Sequence, residues 1–147
     1  MQQITENRKA YHNYFISDET EAGIILEGSE VKGIRSGHMS ISESFVTIKN
    51  GECFLHNAYI RPYEKTASFK PEPLRTRKLL LHKSEILRLQ KKLEAKGFTI
   101  VPLKVYINKK NIVKIKIGLG KGKKLYDKRE TLKQKTIQRD LQRYTKF

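Results

Sequence analysis

Apolar and polar positions alternate most clearly over residues 98–119. Val101, Leu103, Val105 and Ile107 fall on one side of a first run, and Val113, Ile115, Ile117 and Leu119 on one side of a second. Lys114 and Lys116 point the other way. A period of two separates the faces of a strand. With the polar turn 108–111 between them, the runs predict a long antiparallel hairpin with one wet, basic face. Earlier, residues 12–17 predict a strand with Tyr14 and Ile16 on one face, and residues 21–26 predict a second. Two strand-like runs flank Asn50-Gly51, a dipeptide that tolerates the left-handed dihedrals of a two-residue hairpin turn. Residues 59–63 predict a further strand stopped near Pro62, and 64–73 a surface loop.

Two segments follow a helical period instead. Residues 28–37 predict a short helix, with Val31 and Ile34 on its buried side, Lys32 and Arg35 outward, and Gly37 as its stop. Residues 84–96 predict a longer one, with Ile86, Leu89 and Leu93 inward, Arg88, Lys91, Lys92 and Lys96 outward, and Gly97 ending it. His82 and Ser84 compete for its cap. Many short strands and few helices predict a mainly β fold: a small antiparallel barrel with peripheral helices, which removes exposed strand edges. An oligonucleotide-binding type fits the size and charge. Periodicity alone leaves an SH3-like barrel or an α+β sandwich open.

Charge changes the picture. The net charge is +16, but residues 1–73 carry 8 basic and 10 acidic side chains, whereas 74–147 carry 23 and 5. Such asymmetry points to a polyanion, nucleic acid foremost. Residues 121–147 hold 10 basic and 3 acidic side chains, with a thin stripe of Ile137, Leu141 and Tyr144. The chain therefore divides into a barrel, 1–120, and a basic tail, 121–147, disordered when free and ordered by a partner. A C-terminal helix docked on the barrel is the alternative. No apolar run is long enough to span a bilayer, and no leader-like stretch opens the chain.

Catalytic chemistry finds little support. The four histidines lack metal-ligand spacing, and the single cysteine, Cys53, sits beside Phe54 and Leu55 as a packing residue. No nucleophile elbow or carboxylate pair is present. Gly118-Leu119-Gly120-Lys121-Gly122-Lys123-Lys124 fails the phosphate-loop pattern, because Lys124 and Leu125 follow where Ser or Thr is required. Its glycines suit a hinge, and Lys121, Lys123 and Lys124 suit phosphate contact. The expectation is a non-enzyme with no catalytic, cofactor or metal site.

Three blocks carry a family resemblance: Asn7-Arg8-Lys9-Ala10-Tyr11-His12-Asn13-Tyr14, the run from Glu21 through Glu30-Val31-Lys32, and the run from Lys114 through Lys128-Arg129. Arg75-Thr76-Arg77-Lys78-Leu79-Leu80-Leu81 adds a fourth. Over essentially its whole length the chain resembles the SmpB family, the tmRNA (SsrA)-binding proteins of bacterial trans-translation. The resemblance implies a cytoplasmic protein bound to the tRNA-like domain of tmRNA, one monomer per RNA. It implies alanyl-tmRNA carried with the elongation factor that delivers aminoacyl-tRNA, and the A site of a stalled ribosome as destination. There the barrel completes the tRNA mimic, and the tail turns helical in the vacant mRNA channel against small-subunit rRNA.

It also implies residue roles. Asn13, Tyr14, Glu30, Lys32, Arg35, Lys121, Lys123 and Lys124 would face RNA. Glu30 would accept hydrogen bonds from RNA or hold neighbouring basic groups; a plain helix-surface carboxylate is the alternative. Tyr14 could equally be core. Tyr126, Asp127, Lys128, Arg129 and Ile137 would contact the decoding centre and channel. Tyr126 stands where family members often have His, and Gly33 where Ser is common; the tyrosine keeps stacking but not imidazole protonation. A generic RNA-binding module and a small RNA-processing enzyme remain as other classes.

Overall fold

The computed structural model describes residues 2–61 and 71–123. Its strands are β1 (Gln2–Glu6), β2 (Tyr14–Ile24), β3 (Met39–Ser40), β4 (Phe45–Lys49), β5 (Glu52–His56), β6 (Tyr59–Ile60), β7 (Arg77–Leu80), β8 (Phe98–Ile107) and β9 (Val113–Gly122). The helices are α1 (Arg8–Asn13), α2 (Gly28–Arg35) and α3 (Lys83–Leu93). The pairing runs β8-β4-β5-β7-β2-β9 and returns through β8–β9, so an antiparallel sheet closes on itself. β1 extends the edge of β8, and β3 pairs β6 in a small separate sheet. The fold is the mainly β, antiparallel barrel with peripheral helices that the pattern predicts, and it is consistent with the oligonucleotide-binding type.

The Asn50-Gly51 hairpin forms as expected. Asn50 and Gly51 have φ of 52° and 75°, and Lys49 pairs with Glu52 across the turn. β9 keeps its predicted phase, with Val113, Ile115, Ile117 and Leu119 in the main core. His82 takes the cap of α3, and the Glu85 carboxylate accepts from the His82 N–H at 3.0 Å. Ile86 and Leu89 reach the core from this helix.

β8 departs from its predicted single face. Leu103 has no partner between the Pro102–Ile117 and Lys104–Lys116 pairs, so it forms a bulge. The extra residue flips the phase. Val105 and Ile107 join Ile100 inside the barrel, while Val101 and Leu103 lie on the outer face beneath Ala10 of α1. The hairpin is thus buried on parts of both faces.

The predicted strand 12–17 begins as helix. Asn7 caps α1: its Oδ1 accepts from the Ala10 N–H at 3.1 Å, and its Nδ2 donates to the carbonyls of Ile41 and Pro102 at 3.1 and 2.9 Å. Strand then runs unbroken from Tyr14 to Ile24, joining two predicted strands. Asp18, at φ 49°, absorbs a bulge between Ser17 and Thr20. Lys92 of α3 pairs with the Asp18 carboxylate at this kink.

On α2 the buried side is Glu30, Gly33 and Ile34, with Val31 only half-buried. Gly33 has a steric reason to be glycine. A Cβ there would lie 2.1 Å from the Arg61 carbonyl oxygen.

Candidate nucleic-acid interface

Glu30 lies inside the protein. Its side chain is wholly buried, so of its two expected roles the structure shows the holding of basic groups; a surface contact with RNA is corrected. The groups it holds come from the approach to β7. Arg75 donates to Oε1 at 2.7 Å through Nη2 and to Oε2 at 3.0 Å through Nε. Arg77, also wholly buried, donates to Oε2 at 2.9 Å through Nε, and to the Ala58 carbonyl at 2.8 Å through Nη1. The Glu27 N–H completes the set at 2.9 Å, tying the start of α2 to the same carboxylate. Burial pushes the Glu30 carboxyl up, but the hydrogen bonds from Arg75, Arg77 and Glu27 outweigh it and hold it below its usual range. Burial pulls the Arg77 guanidinium down, and Glu30 opposes that. Two of the chain's cations are thereby bound internally.

Lys32 and Arg35 remain on the exposed side of α2. Arg35 donates through Nη2 to the Asn111 carbonyl at 3.2 Å, pinning α2 beside the turn of the β8–β9 hairpin. Asn13 and Tyr14 sit at the other end of that hairpin, where Tyr14 pairs with Gly122. β9 spans ten residues, so the two groups stand at opposite ends of it. The expected site is two patches.

The second patch is built on aromatic rings. Phe15 of β2, Lys121 of β9 and Phe98 of β8 share one register row. The Lys121 Nζ lies 5.7 Å from the Phe98 ring centroid, and the Lys123 Nζ lies 5.2 Å from that of Phe15. Lys123 also donates to the Tyr11 carbonyl at 3.2 Å. Phe15 is 46% exposed. Tyr14 is half-buried because its ring packs over Gly120, where a Cβ would come within 3.0 Å. Asn13 and Tyr14 line a cleft of about 400 Å³ between α1 and the start of β4. Phe15 was missed by sequence reasoning. The signal was present, since a strand that turns Tyr14 and Ile16 one way turns Phe15 the other.

Between the patches, the outer face of the hairpin carries the expected lysines, interleaved with acid. One row across β2, β9, β8 and β1 reads Glu21, Lys116, Lys104, Glu6. Tyr106 donates its hydroxyl to the Glu21 carboxylate. Lys109, Lys110 and Lys114 surround an open cleft with Glu21.

Among the described residues, no group of three or more His, Cys, Asp or Glu side chains could hold a metal ion. None of their helices is long and apolar enough to cross a membrane. Cys53 is fully buried, and burial pushes its thiol up to about 11. β9 continues through Lys121 to Gly122, so the expected boundary at 120/121 falls inside a strand. Lys124, Tyr126, Asp127, Lys128, Arg129 and Ile137 lie outside the described residues.

A closed antiparallel barrel with separated basic patches defines a nucleic-acid-binding class of protein. A family model described as "SmpB protein" matches residues 4–147. The chain is 52% identical over 143 residues to an SsrA-binding protein of Enterococcus hirae, covering 97% of this chain and 92% of the relative. It is 49% identical over 140 residues to one of Anoxybacillus flavithermus, covering 95% and 90%. A solved structure described as "tmRNA-SmpB: a journey to the center of the bacterial ribosome" superposes with a TM-score of 0.70 at 47% identity, over 84% of this chain and 85% of that one. The chain belongs to the SmpB family.

Proposed function

We infer that this chain binds tmRNA and serves trans-translation on the bacterial ribosome. The observation that carries the reading is the match of the SmpB family over residues 4–147, barrel and basic tail together. The geometry supports it. A rigid closed barrel suits a body that stands in for a missing RNA arm. Its lysines over aromatic rings suit contact with phosphates and bases. The role is binding, without bond chemistry of its own; peptidyl transfer belongs to the ribosome.

Finer assignments follow from the reading. Asn13, Tyr14, Lys121 and Lys123 at one end, and Lys32 and Arg35 at the other, face RNA, and Lys124 contacts it as well. Glu30 serves by holding α2 in place. Tyr126, Asp127, Lys128, Arg129 and Ile137 contact the decoding region and the mRNA channel. Residues beyond 123 act as a tail that orders only where a channel is vacant, since mRNA would exclude it and bare rRNA phosphates attract it. Alanyl-tmRNA with the elongation factor that delivers aminoacyl-tRNA travels with one copy of the chain, in the cytoplasm.

A reconstituted translation reaction on a message without a stop codon tests this. The full chain is expected to support tagging of the stalled peptide. A chain ending at Lys123 keeps all of β9, and is expected to bind tmRNA while losing tagging. Tagging by the shortened chain would contradict the role given to the tail. No tagging by the full chain would contradict the function.

A further inference from the structure

We propose that the cleft beside α1 seats one unpaired nucleobase of an RNA partner, stacked against Phe45. The proposal rests on the RNA-binding reading above. Phe45 opens β4, lines the cleft, and is 39% exposed. Its ring is stacked on His56, with centroids 5.0 Å apart and planes 17° from parallel. His56 is itself fixed. Its Nε2 lies 2.7 Å from the Thr47 hydroxyl, and its Nδ1 lies 3.3 Å from that of Thr76. A hydroxyl can donate or accept, so both ring nitrogens have partners. The Phe45 ring is therefore held in place before any ligand arrives, and a preorganised platform loses little entropy on binding.

The rest of the lining selects the occupant. Asn13 brings an amide, Thr99 a hydroxyl, and Tyr14 a second aromatic surface. Lys9 also lines the cleft, with its charge already matched by Glu43. A bare phosphate would meet a neutralised cation and make no use of the ring. An aliphatic side chain would leave the amide and hydroxyl unmatched. A planar base with a polar edge uses both kinds of group. It must be unpaired, because a base within a duplex exposes no face. The base can come from the tRNA-like domain of tmRNA or from ribosomal RNA.

The chain contains no tryptophan, so Phe45→Trp places a single reporter at the cleft. Full-length wild type, F45W and F45L are titrated with the tRNA-like domain, and separately with small ribosomal subunits, at about 0.15 M salt. F45W keeps an aromatic face at the cleft, and its emission is expected to be quenched at saturation by whichever RNA supplies the base. F45L is expected to bind that same RNA about tenfold more weakly, the scale of one base–aromatic stack. Unchanged F45W emission at saturation with both RNAs overturns the proposal, as does wild-type affinity of F45L for both; the F45W readout holds whether or not F45L folds. If wild type itself fails to prefer the tRNA-like domain over an unrelated structured RNA, the underlying function fails, and that result is distinct.

Discussion

Arg75 and Arg77 come from the same basic half of the chain as Lys121 and Lys123, and charge alone treats the two pairs alike. The structure treats them oppositely. The arginines converge on the buried carboxylate of Glu30, with Arg77 itself wholly enclosed. The lysines lie over the Phe98 and Phe15 rings at the end of the barrel. Net charge therefore overstates the surface available to a polyanion. One set of cations fastens α2 to β7, and the other is displayed. Guanidinium suits the first task, because its planar fork satisfies a carboxylate bidentately. Lysine suits the second, because its long stem covers an aromatic ring while its head stays wet.

The sharpest break in this contrast is Glu30→Ala. It leaves two guanidiniums facing each other without their carboxylate, and is expected to cost about 3–5 kcal/mol of stability in chemical denaturation. Gly33→Ala, on the same helix, would drive a Cβ into the Arg61 carbonyl. A loss of about 1–3 kcal/mol is expected in the same measurement.

Acid should act on the buried set in the same direction. The folded chain holds the Glu30 carboxyl below its ordinary value of 4.5, so the unfolded chain binds that proton more readily. The stability this group contributes is full above that value, and is lost as pH falls through the lower folded one. Melting curves between neutral pH and pH 3 should therefore fall more steeply for wild type than for Glu30→Gln.

The displayed set should respond to salt instead. A K121A/K123A chain is expected to melt like wild type. The slope of log affinity for RNA against log salt should shrink by about 1 for each lysine removed. The smallest effect concerns Cys53. With its thiol pushed up to about 11 and fully buried, it should react with a disulfide reagent at pH 8 only after denaturant is added.

What the sequence made legible was local. Asn50-Gly51 fixes its own hairpin, and the alternation of Val113 to Leu119 needs nothing beyond itself. What it hid depends on distant partners. Asn7 caps α1 while bonding carbonyls 34 and 95 residues away, so residues 12 and 13 read as strand. The Leu103 bulge is invisible in a regular apolar alternation, yet it turns Val101 away from the barrel interior. For Glu30 the sequence left open contact with RNA, the holding of basic groups and a plain helix-surface role, because Arg75 and Arg77 approach it from 45 and 47 residues on. Of the candidate site, Lys32, Arg35, Lys121 and Lys123 were legible as outward charge. Their division between two ends of one hairpin was not, since it is set by the docking of Arg35 at Asn111 and the pairing of Tyr14 with Gly122.

The most direct test of the account is binding of the full-length chain to the tRNA-like domain of tmRNA, beside full-length tRNA and a length-matched structured RNA, at about 0.15 M salt, where nonspecific phosphate binding is partly screened. The account predicts clear preference for the tRNA-like domain. Equal affinity for all three would contradict it, and would mark the displayed lysines as a general polyanion surface.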